Sequence, residues 1–199
     1  MQREEWDERY AAVEHLWAAK PNRFLVAEVS ELEPGRALDL ACGEGQNAIW
    51  LASRGWDVTG VDFSEVAIEK AYARAERDGV RVGFACADLL EYQPDPAAFD
   101  LVLLLYLHIP APGRRQVLEK VSAALAPGGT FVLVGHDLTN ISDGIGGPSD
   151  PALLYTPEQI ANEIPELLIE KAERVLRDVD RADRDAIDAL VRAGRPQSG

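Results

Sequence analysis

The chain has 199 residues, of which 47 % are hydrophobic and 27 % are charged, a composition typical of one globular domain. Its formal net charge of −14 argues against binding to nucleic acid or to an anionic membrane surface, because both are polyanions. The two cysteines, Cys42 and Cys86, lie far apart, so we expect neither a disulfide framework nor a zinc site, and we expect the protein to be cytoplasmic.

The N-terminal segment, residues 1–33, predicts two helices. Trp6, Tyr10 and Trp17 recur at helical spacing and give the first helix one apolar face. Pro21 interrupts this pattern, and a second apolar helix follows it.

Short apolar strands then alternate with helices. The predicted strands are residues 36–40, 57–61, 80–86, 100–105 and 130–135. The predicted helices are residues 46–54, 64–78 and 114–125. The fourth strand is almost wholly apolar, as expected where helices cover both faces of a parallel sheet. This alternation predicts an α/β fold with a doubly wound, mostly parallel sheet.

The C-terminal third is less regular. Residues 137–155 are rich in Asp, Gly, Pro, Ser and Asn and predict a long loop of functional importance or without order. Residues 156–159 form a capping box with proline at the first helical position, which predicts a short helix. Residues 167–178 suit a helix or an edge strand equally, and residues 186–192 form another short element.

A glycine-rich turn joins the first strand to the next helix, within the sequence ALDLACGEGQNAIWLA (37–52). Gly43 and Gly45 permit a tight turn and close approach of a ligand. With Ala48 they also fit the dinucleotide fingerprint G-x-G-x-x-G/A. Asp39, four residues before Gly43, would repel a pyrophosphate on this turn, whereas it suits a ligand that carries an ammonium group.

Acidic residues also follow the second and third strands. Asp62 can bind a ribose diol, a role that serves both dinucleotides and other nucleoside ligands. Asp88 could accept a hydrogen bond from an adenine amine, while the backbone N–H of Ala87 could donate to the ring. Phe63 could pack on the adenine face. Capping of a turn is the alternative for either acid, and cofactor binding is the favoured interpretation.

The ordered motifs of the chain resemble the class I S-adenosylmethionine-dependent methyltransferases. They are DLACGEG (39–45), VDFS (61–64), ADL (87–89), FDLVLLLYLH (99–108) and LAPGGTFVL (125–133). The opening WDERYA (6–11) is similar to the small-molecule branch, which includes tellurite-resistance and thiopurine or thiol methyltransferases. The resemblance covers roughly residues 5–195. Gln46 stands where many members have glycine or arginine, and no Asn/Asp-Pro-Pro-Tyr motif follows the fourth strand, which argues against methylation of DNA bases or protein glutamine.

The resemblance implies a seven-stranded sheet in the order 3-2-1-4-5-7-6 with the last strand antiparallel, so that 167–178 and 186–192 become strands six and seven. It implies S-adenosyl-L-methionine as cofactor, with S-adenosyl-L-homocysteine as product. The candidate cofactor-binding residues are Trp6, Tyr10, Asp39, Ala41, Gly43, Gly45, Asp62, Phe63, Ala87, Asp88, Leu89 and Leu105. The candidate catalytic residues are His108, His136 and Tyr10. We expect no metal ion.

The predicted organisation is one methyltransferase domain over residues 1–199. Its parts are a helical lid (1–33), a cofactor-binding core (34–136), a substrate-side loop (137–155), a C-terminal helix and strands (156–195) and a loose tail (196–199). The expected partner is a small-molecule methyl acceptor, with a thiol or other chalcogen, hydroxyl, amine or halide as nucleophile, and the expected state is a monomer or homodimer. A nicotinamide-dependent oxidoreductase and a cofactor-binding protein without turnover stay open as alternatives.

Overall fold

A computed structural model describes residues 3–16, 20–179 and 182–197. Trp17 of the predicted apolar face and the last two residues of the predicted tail lie outside the described residues. The helices are α1 (Arg3–Ala11), α2 (Arg23–Val29), α3 (Gln46–Ser53), α4 (Glu65–Arg77), α5 (Ala111–Ala124), α6 (Asn140–Asp143) and α7 (Pro157–Glu163). The strands are β1 (Arg36–Leu40), β2 (Asp57–Asp62), β3 (Gly83–Cys86), β4 (Phe99–Leu105), β5 (Leu125–His136), β6 (Leu168–Arg177) and β7 (Ala186–Gly194).

The seven strands form one sheet in the order β3-β2-β1-β4-β5-β7-β6. Strands β1 to β5 pair in parallel, and β7 runs antiparallel to both of its neighbours. The predicted fold class and strand order are confirmed, including the assignment of the ambiguous segment to β6. Because β7 is antiparallel, its first residues lie at the same edge of the sheet as the carboxyl ends of β1, β2, β4 and β5.

Two apolar clusters cover the two faces of the sheet, and β4 shows how the sequence divides between them. Leu101, Leu103 and Leu105 point to the cluster that includes residues of α2, α3 and α4. Val102 and Leu104 point to the opposite cluster, which includes residues of α5 and α7. Successive side chains of a strand face opposite sides, so a strand buried on both faces must be apolar throughout.

Local polar contacts fix several element ends. The side chain of Asn22 accepts hydrogen bonds from the backbone of Phe24 and Leu25 at the start of α2. Ser64 caps α4, as predicted, by accepting from the backbone of Ala67. The predicted capping box is present at α7, where the Thr156 and Gln159 side chains each accept from the other residue's backbone.

Several boundaries differ from the sequence prediction; α5 begins at Ala111 and not at residue 114, and two further differences have a clear local reason. Strand β3 begins at Gly83 and not at residue 80, because the backbone N–H of Val80 donates to Ala75 and completes the end of α4. Strand β5 begins at Leu125, which is extended and pairs with Phe99, so the predicted helix end and strand start are both wrong there. The Pro-Gly-Gly segment that follows therefore lies within β5.

The segment 137–155, predicted as a loop, contains α6 and a 3₁₀ turn at Pro151–Leu153. Asn140 is buried, and its side chain donates to the carbonyl of Gly146 and accepts from the backbone N–H of Ile187. These bonds hold the segment against β7. Among the described helices, none has the length and apolarity needed to span a membrane.

We predict that Gly135→Ala destabilises the protein by about 1–3 kcal/mol, the usual cost of overpacking a core. A β-carbon at Gly135 would lie 1.9 Å from the hydroxyl oxygen of Tyr155, a fully buried side chain that has little room to move. Urea unfolding measures the change, with Gly83→Ala as control because a β-carbon there makes only ordinary contacts. Equal effects of the two substitutions would contradict the prediction.

Candidate functional site

The glycine-rich turn between β1 and α3 has the strained backbone that close approach of a ligand requires. Ala41, Gly43 and Gly45 have positive φ values of 59°, 53° and 76°. A β-carbon on Gly45 would lie 2.9 Å from the ring of Phe84, so this position needs glycine for both backbone and space. Gly45 also precedes α3 without a capping side chain, which leaves the helix N-terminus to other partners.

Asp39 lies near the end of β1 and is 1 % exposed. Neither of its carboxylate oxygens makes a hydrogen bond of normal geometry with any described residue. Burial and the neighbouring charge of Asp62 raise the pKa of Asp39 to about 7, and the backbone N–H of Ala48 offsets only part of this rise. A buried carboxylate whose charge is so weakly compensated is costly, and it suits a positively charged ligand group.

Asp62, the last residue of β2, is also buried but is held by the backbone. Its two oxygens accept hydrogen bonds from Gly43 (2.9 Å) and Ser64 (3.0 Å). Burial raises the pKa of Asp62, whereas these N–H groups act to lower it. The carboxylate thus ties the glycine turn to the start of α4, and each oxygen retains capacity for one more donor such as a ribose hydroxyl.

The residues predicted to contact adenine lie in different environments. The N–H of Ala87 donates to the carbonyl of Asp62 (2.9 Å), so donation to a bound ring, which stays a prediction, would have to replace this bond. Asp88 forms a turn, in which its carboxylate accepts from the backbone of Leu90 (2.8 Å). Leu89 packs in the apolar core, and Phe63 is partly exposed. For Asp88, Leu89 and Phe63, cofactor contact stays a prediction, as it does for Leu105, a core residue at the end of β4.

The N-terminal segment packs beside this part of the site. Lys70 of α4 donates to the carbonyls of Tyr10 (2.5 Å) and Val13 (2.6 Å) and lies 3.3 Å from the carboxylate of Glu44. Glu44 lies within the glycine turn and also accepts from the backbone N–H of Leu16 (3.0 Å). Tyr10 is buried, with the ring of Trp6 5.7 Å away. A contact from the Ser64 hydroxyl to Asp7 (2.5 Å) adds a further link.

A second polar cluster lies at the ends of β4 and β5. Tyr106, with a positive φ of 56°, donates its hydroxyl to Asp188 (2.7 Å) and accepts from the side chain of Asn22 (3.3 Å). Arg177 donates to the same carboxylate oxygen of Asp188 (2.8 Å). The other carboxylate oxygen of Asp188 lies 3.2 Å from Nδ1 of His136. Although burial acts to raise the pKa of Asp188, these neighbours hold it below its ordinary value.

The two candidate catalytic histidines are brought together. Their rings stack with centroids 5.3 Å apart, and Nε2 of His108 accepts the backbone N–H of His136 (3.1 Å). Burial, followed by the proximity of His136, lowers the pKa of His108 to about 4. Tyr10, the third candidate, belongs to the N-terminal segment, and no contact with either histidine is seen among the described residues.

Sequence reasoning missed the partners that organise this cluster. Asp188 carried a signal, since it is the single acid in the otherwise mostly apolar strand AIDALVRAG. Arg177 and Asn22 carried none, because their roles depend on sheet order and on the path of the N-terminal segment. Within the described residues, no group of acidic, histidine and cysteine side chains is arranged to hold a metal ion.

Comparisons with known proteins place this geometry in a fold family. Residues 37–129 match a family model described as "Methyltransferase domain". The chain is 35 % identical over 132 residues to the 27-O-demethylrifamycin SV methyltransferase of Amycolatopsis mediterranei, which covers 64 % of this chain and 48 % of that protein. The chain spans about half the length of the curated relatives it matches.

Two solved structures share the architecture over almost the whole chain. One is from a study of disulfide-to-thioacetal conversion in echinomycin biosynthesis, with a TM-score of 0.77, 24 % identity and coverage of 99 % of this chain and 93 % of that one. The other is the Burkholderia thailandensis 1,6-didemethyltoxoflavin-N1-methyltransferase with bound S-adenosylhomocysteine, with a TM-score of 0.71, 22 % identity and coverage of 98 % and 87 %. The chain therefore has the Rossmann-like methyltransferase fold.

We predict that Asp39→Asn stabilises the ligand-free protein at high pH. The folded-state pKa of about 7 exceeds the ordinary value of 3.8, so the folded state holds this proton more tightly and wild-type stability falls as pH rises between them. The advantage of Asp39→Asn should therefore grow by up to about 4 kcal/mol from pH 4 to pH 8. Urea unfolding across this range measures it. Asp57→Asn, at an exposed site, is the control, and an advantage independent of pH would contradict the prediction.

Proposed function

We propose that this protein is an S-adenosylmethionine-dependent methyltransferase that acts on a small molecule. The observation that carries the proposal is the buried carboxylate of Asp39, which has no hydrogen bond of normal geometry among the described residues. The ammonium group of the methionine moiety would supply the missing positive charge. A dinucleotide would instead bring a pyrophosphate to the same turn, close to two buried acids, which disfavours the nicotinamide-dependent alternative.

Residues suited to bind the other parts of the cofactor lie along the same edge of the sheet. Asp62 lies where a ribose diol can be bound, and the glycine turn leaves room for close approach. When bound, S-adenosylmethionine supplies an activated methyl group on a positively charged sulfur. The protein's own tasks are then to hold the acceptor in line and to exclude water, which Tyr106, His136 and the 137–155 segment are placed to do.

The N-terminal helical segment acts as a lid in this proposal. Its carbonyls at Tyr10 and Val13 are held by Lys70, and Lys70 is itself paired with Glu44 of the glycine turn. Closure of the segment is thereby coupled to the conformation of the turn that contacts the cofactor. Trp6 and Tyr10 would then help to cover the cofactor.

The acceptor class is supported only coarsely by the relatives. The rifamycin protein is named for an O-demethylated compound and the toxoflavin protein for N1-methylation. The thiol and tellurite branch expected from the opening motif therefore stays one option among several. The net charge of −14 and the two free cysteines support a cytoplasmic enzyme that acts on small molecules and not on nucleic acid.

The cofactor assignment is tested by calorimetric titration of S-adenosylmethionine and of NADH. We expect saturable binding of S-adenosylmethionine, with affinity that rises between pH 6 and pH 8 as Asp39 ionises. Asp39→Asn should weaken binding about 10- to 100-fold, the usual size for loss of a charged hydrogen bond, and should remove the pH dependence. Asp57→Asn, on the exposed start of β2, should leave both unchanged. Binding of NADH without binding of S-adenosylmethionine refutes the assignment.

Turnover is tested separately with tritiated S-adenosylmethionine and a panel of thiols, phenols, amines and halides. Transfer of label to a member of the panel distinguishes the enzyme from a binding protein without turnover.

The lid is tested with Lys70→Met. Loss of the ammonium group removes the donor to Tyr10 and Val13, so we expect faster proteolytic cleavage within residues 3–16 and about tenfold weaker binding of S-adenosylmethionine. Lys20→Met, at an exposed position, is the matched control. Unchanged cleavage in Lys70→Met would show that these contacts do not hold the segment.

A further inference from the structure

His136 and Asp188 face each other across two antiparallel strands. They are register partners at the end of β5 and the start of β7, and Nδ1 of the imidazole lies 3.2 Å from one carboxylate oxygen. Both atoms are fully buried, and neither has a hydrogen bond of normal geometry with any other described residue. The contact between them favours hydrogen on Nδ1, which in a neutral ring leaves the lone pair on Nε2.

The remaining groups around Asp188 hold it in its ionised form. Its second oxygen accepts from the hydroxyl of Tyr106 (2.7 Å) and from Arg177 (2.8 Å). The side chain is fully buried, so these contacts act in a medium of low dielectric constant. An ionised carboxylate at this position stabilises a protonated imidazole, and the single positive charge of Arg177 is directed to the other oxygen.

The ring of His136 is held on both sides. The ring of His108 stacks against it at an interplanar angle of 24°. On the loop side, a β-carbon on Gly147 would lie 2.6 Å from Cδ2 and 2.9 Å from Nε2 of the imidazole, so only glycine allows the loop to pack there. The side chain keeps 11 % exposure although Nδ1 is buried.

His108 does not compete for the same role. Its Nε2 already accepts the backbone N–H of His136 (3.1 Å), so the lone pair that a base needs is occupied. Its ring serves to position the ring of His136. The cluster thus contains one histidine that faces a carboxylate through Nδ1 and not through Nε2, an arrangement typical of general-base catalysis.

We propose that His136 is the general base of the reaction, that Asp188 is its positioning residue, and that the acceptor is a hydroxyl compound that arrives protonated. This inference rests on the proposed function. The acceptor oxygen forms a bond to the methyl carbon, the sulfur–carbon bond breaks with its electron pair left on sulfur, and the acceptor proton moves to Nε2 of His136. The resulting imidazolium is paired with Asp188. Thiolates and halides carry no proton and need no such base, so the arrangement favours hydroxyl acceptors over them.

Nuclear magnetic resonance of the histidine side chains tests the pair directly. The chain has three histidines, so single replacements assign every signal. Long-range proton–nitrogen spectra of the wild type should show the hydrogen of the neutral His136 ring on Nδ1, whereas Asp188→Asn should weaken this preference and give a mixture of the two tautomers. Asp183→Asn, at an exposed site, should leave the tautomer unchanged. Hydrogen on Nε2 in the wild type overturns the proposal, and this result needs no variant that folds.

Two glycines provide a matched pair of variants. Gly146 and Gly147 have similar positive φ values of 73° and 76°, so alanine strains the backbone equally at both. A β-carbon on Gly146 meets nothing within 4 Å, whereas one on Gly147 meets the imidazole. Gly147→Ala should therefore shift the His136 resonances and Gly146→Ala should not. Identical spectra for the two variants would show that the loop does not position the ring.

Activity on matched phenols and thiophenols supplies the chemical readout. His136→Gln should lower methylation of phenols by about 100-fold or more, the usual contribution of a general base, and of thiophenols by less than about threefold. Equal losses of phenol and thiophenol methylation in His136→Gln overturn the proposal, as does a wild type that methylates thiols alone. Where no member of the panel reacts, the tautomer of His136 decides the proposal. Calorimetry separates the two levels: a wild type that fails to bind S-adenosylmethionine refutes the proposed function, whereas normal binding with the wrong tautomer refutes only this inference.

Discussion

The ligand-facing edge of the sheet depends on the unequal way in which two adjacent acids are held. Asp62 is bound by the backbone of Gly43 and Ser64, so its charge stabilises the local fold. Asp39, on the neighbouring strand, is more deeply buried and lacks hydrogen bonds of normal geometry with the described residues. Two such charges in a medium of low dielectric constant repel each other, and the resulting cost is relieved when a cation binds or when Asp39 takes up a proton. The same cost that weakens the free protein therefore favours the bound one.

In the second polar cluster, the buried acid is fully provided with partners, in contrast to Asp39. Asp188 is as deeply buried as Asp39, yet Tyr106, Arg177 and His136 all contact it. Its charge is needed inside the protein, because it links the residue that follows β4 and residues of β5 and β6 to β7. The antiparallel direction of β7 makes this possible, since it brings the start of that strand to the carboxyl ends of the parallel strands. One acid thus lacks hydrogen bonds of normal geometry within the described residues, which is why we propose that it binds a ligand, and the other organises the protein's own side chains.

The sequence predicts the fold well because the fold depends on local patterns. Apolar strands between capped helices, such as the one that Ser64 begins, are visible along the chain, and the order of the strands follows once the motifs are placed in their family. Strand β6 is the exception, because periodicity did not separate an edge strand from a helix. The hydrogen bonds of Ala87 could not be read from the chain, since its N–H is used by a neighbouring strand.

The sequence revealed only part of the second polar cluster, for a related reason. His108 and His136 follow strands and so attract attention, but their distinct roles depend on Asp188, which is far away in sequence. Cross-strand neighbours of this kind depend on register, and a one-residue shift would turn Asp188 to the other face of the sheet. Sequence alone thus finds the positions of candidate residues and leaves their tautomers and partners undetermined.

Asn22 joins the two halves of the site, and this has a mechanistic consequence. Its backbone N–H donates to the side chain of Asn47 in α3 (2.9 Å), next to the glycine turn, while its side chain both caps α2 and donates to Tyr106 (3.3 Å). Movement of the N-terminal segment must therefore disturb the cofactor helix and the hydroxyl that contacts Asp188 at the same time. If the proposed function holds, a lid attached in this way would assemble the cluster around Asp188 only when it is closed, which would delay proton removal until water has been excluded.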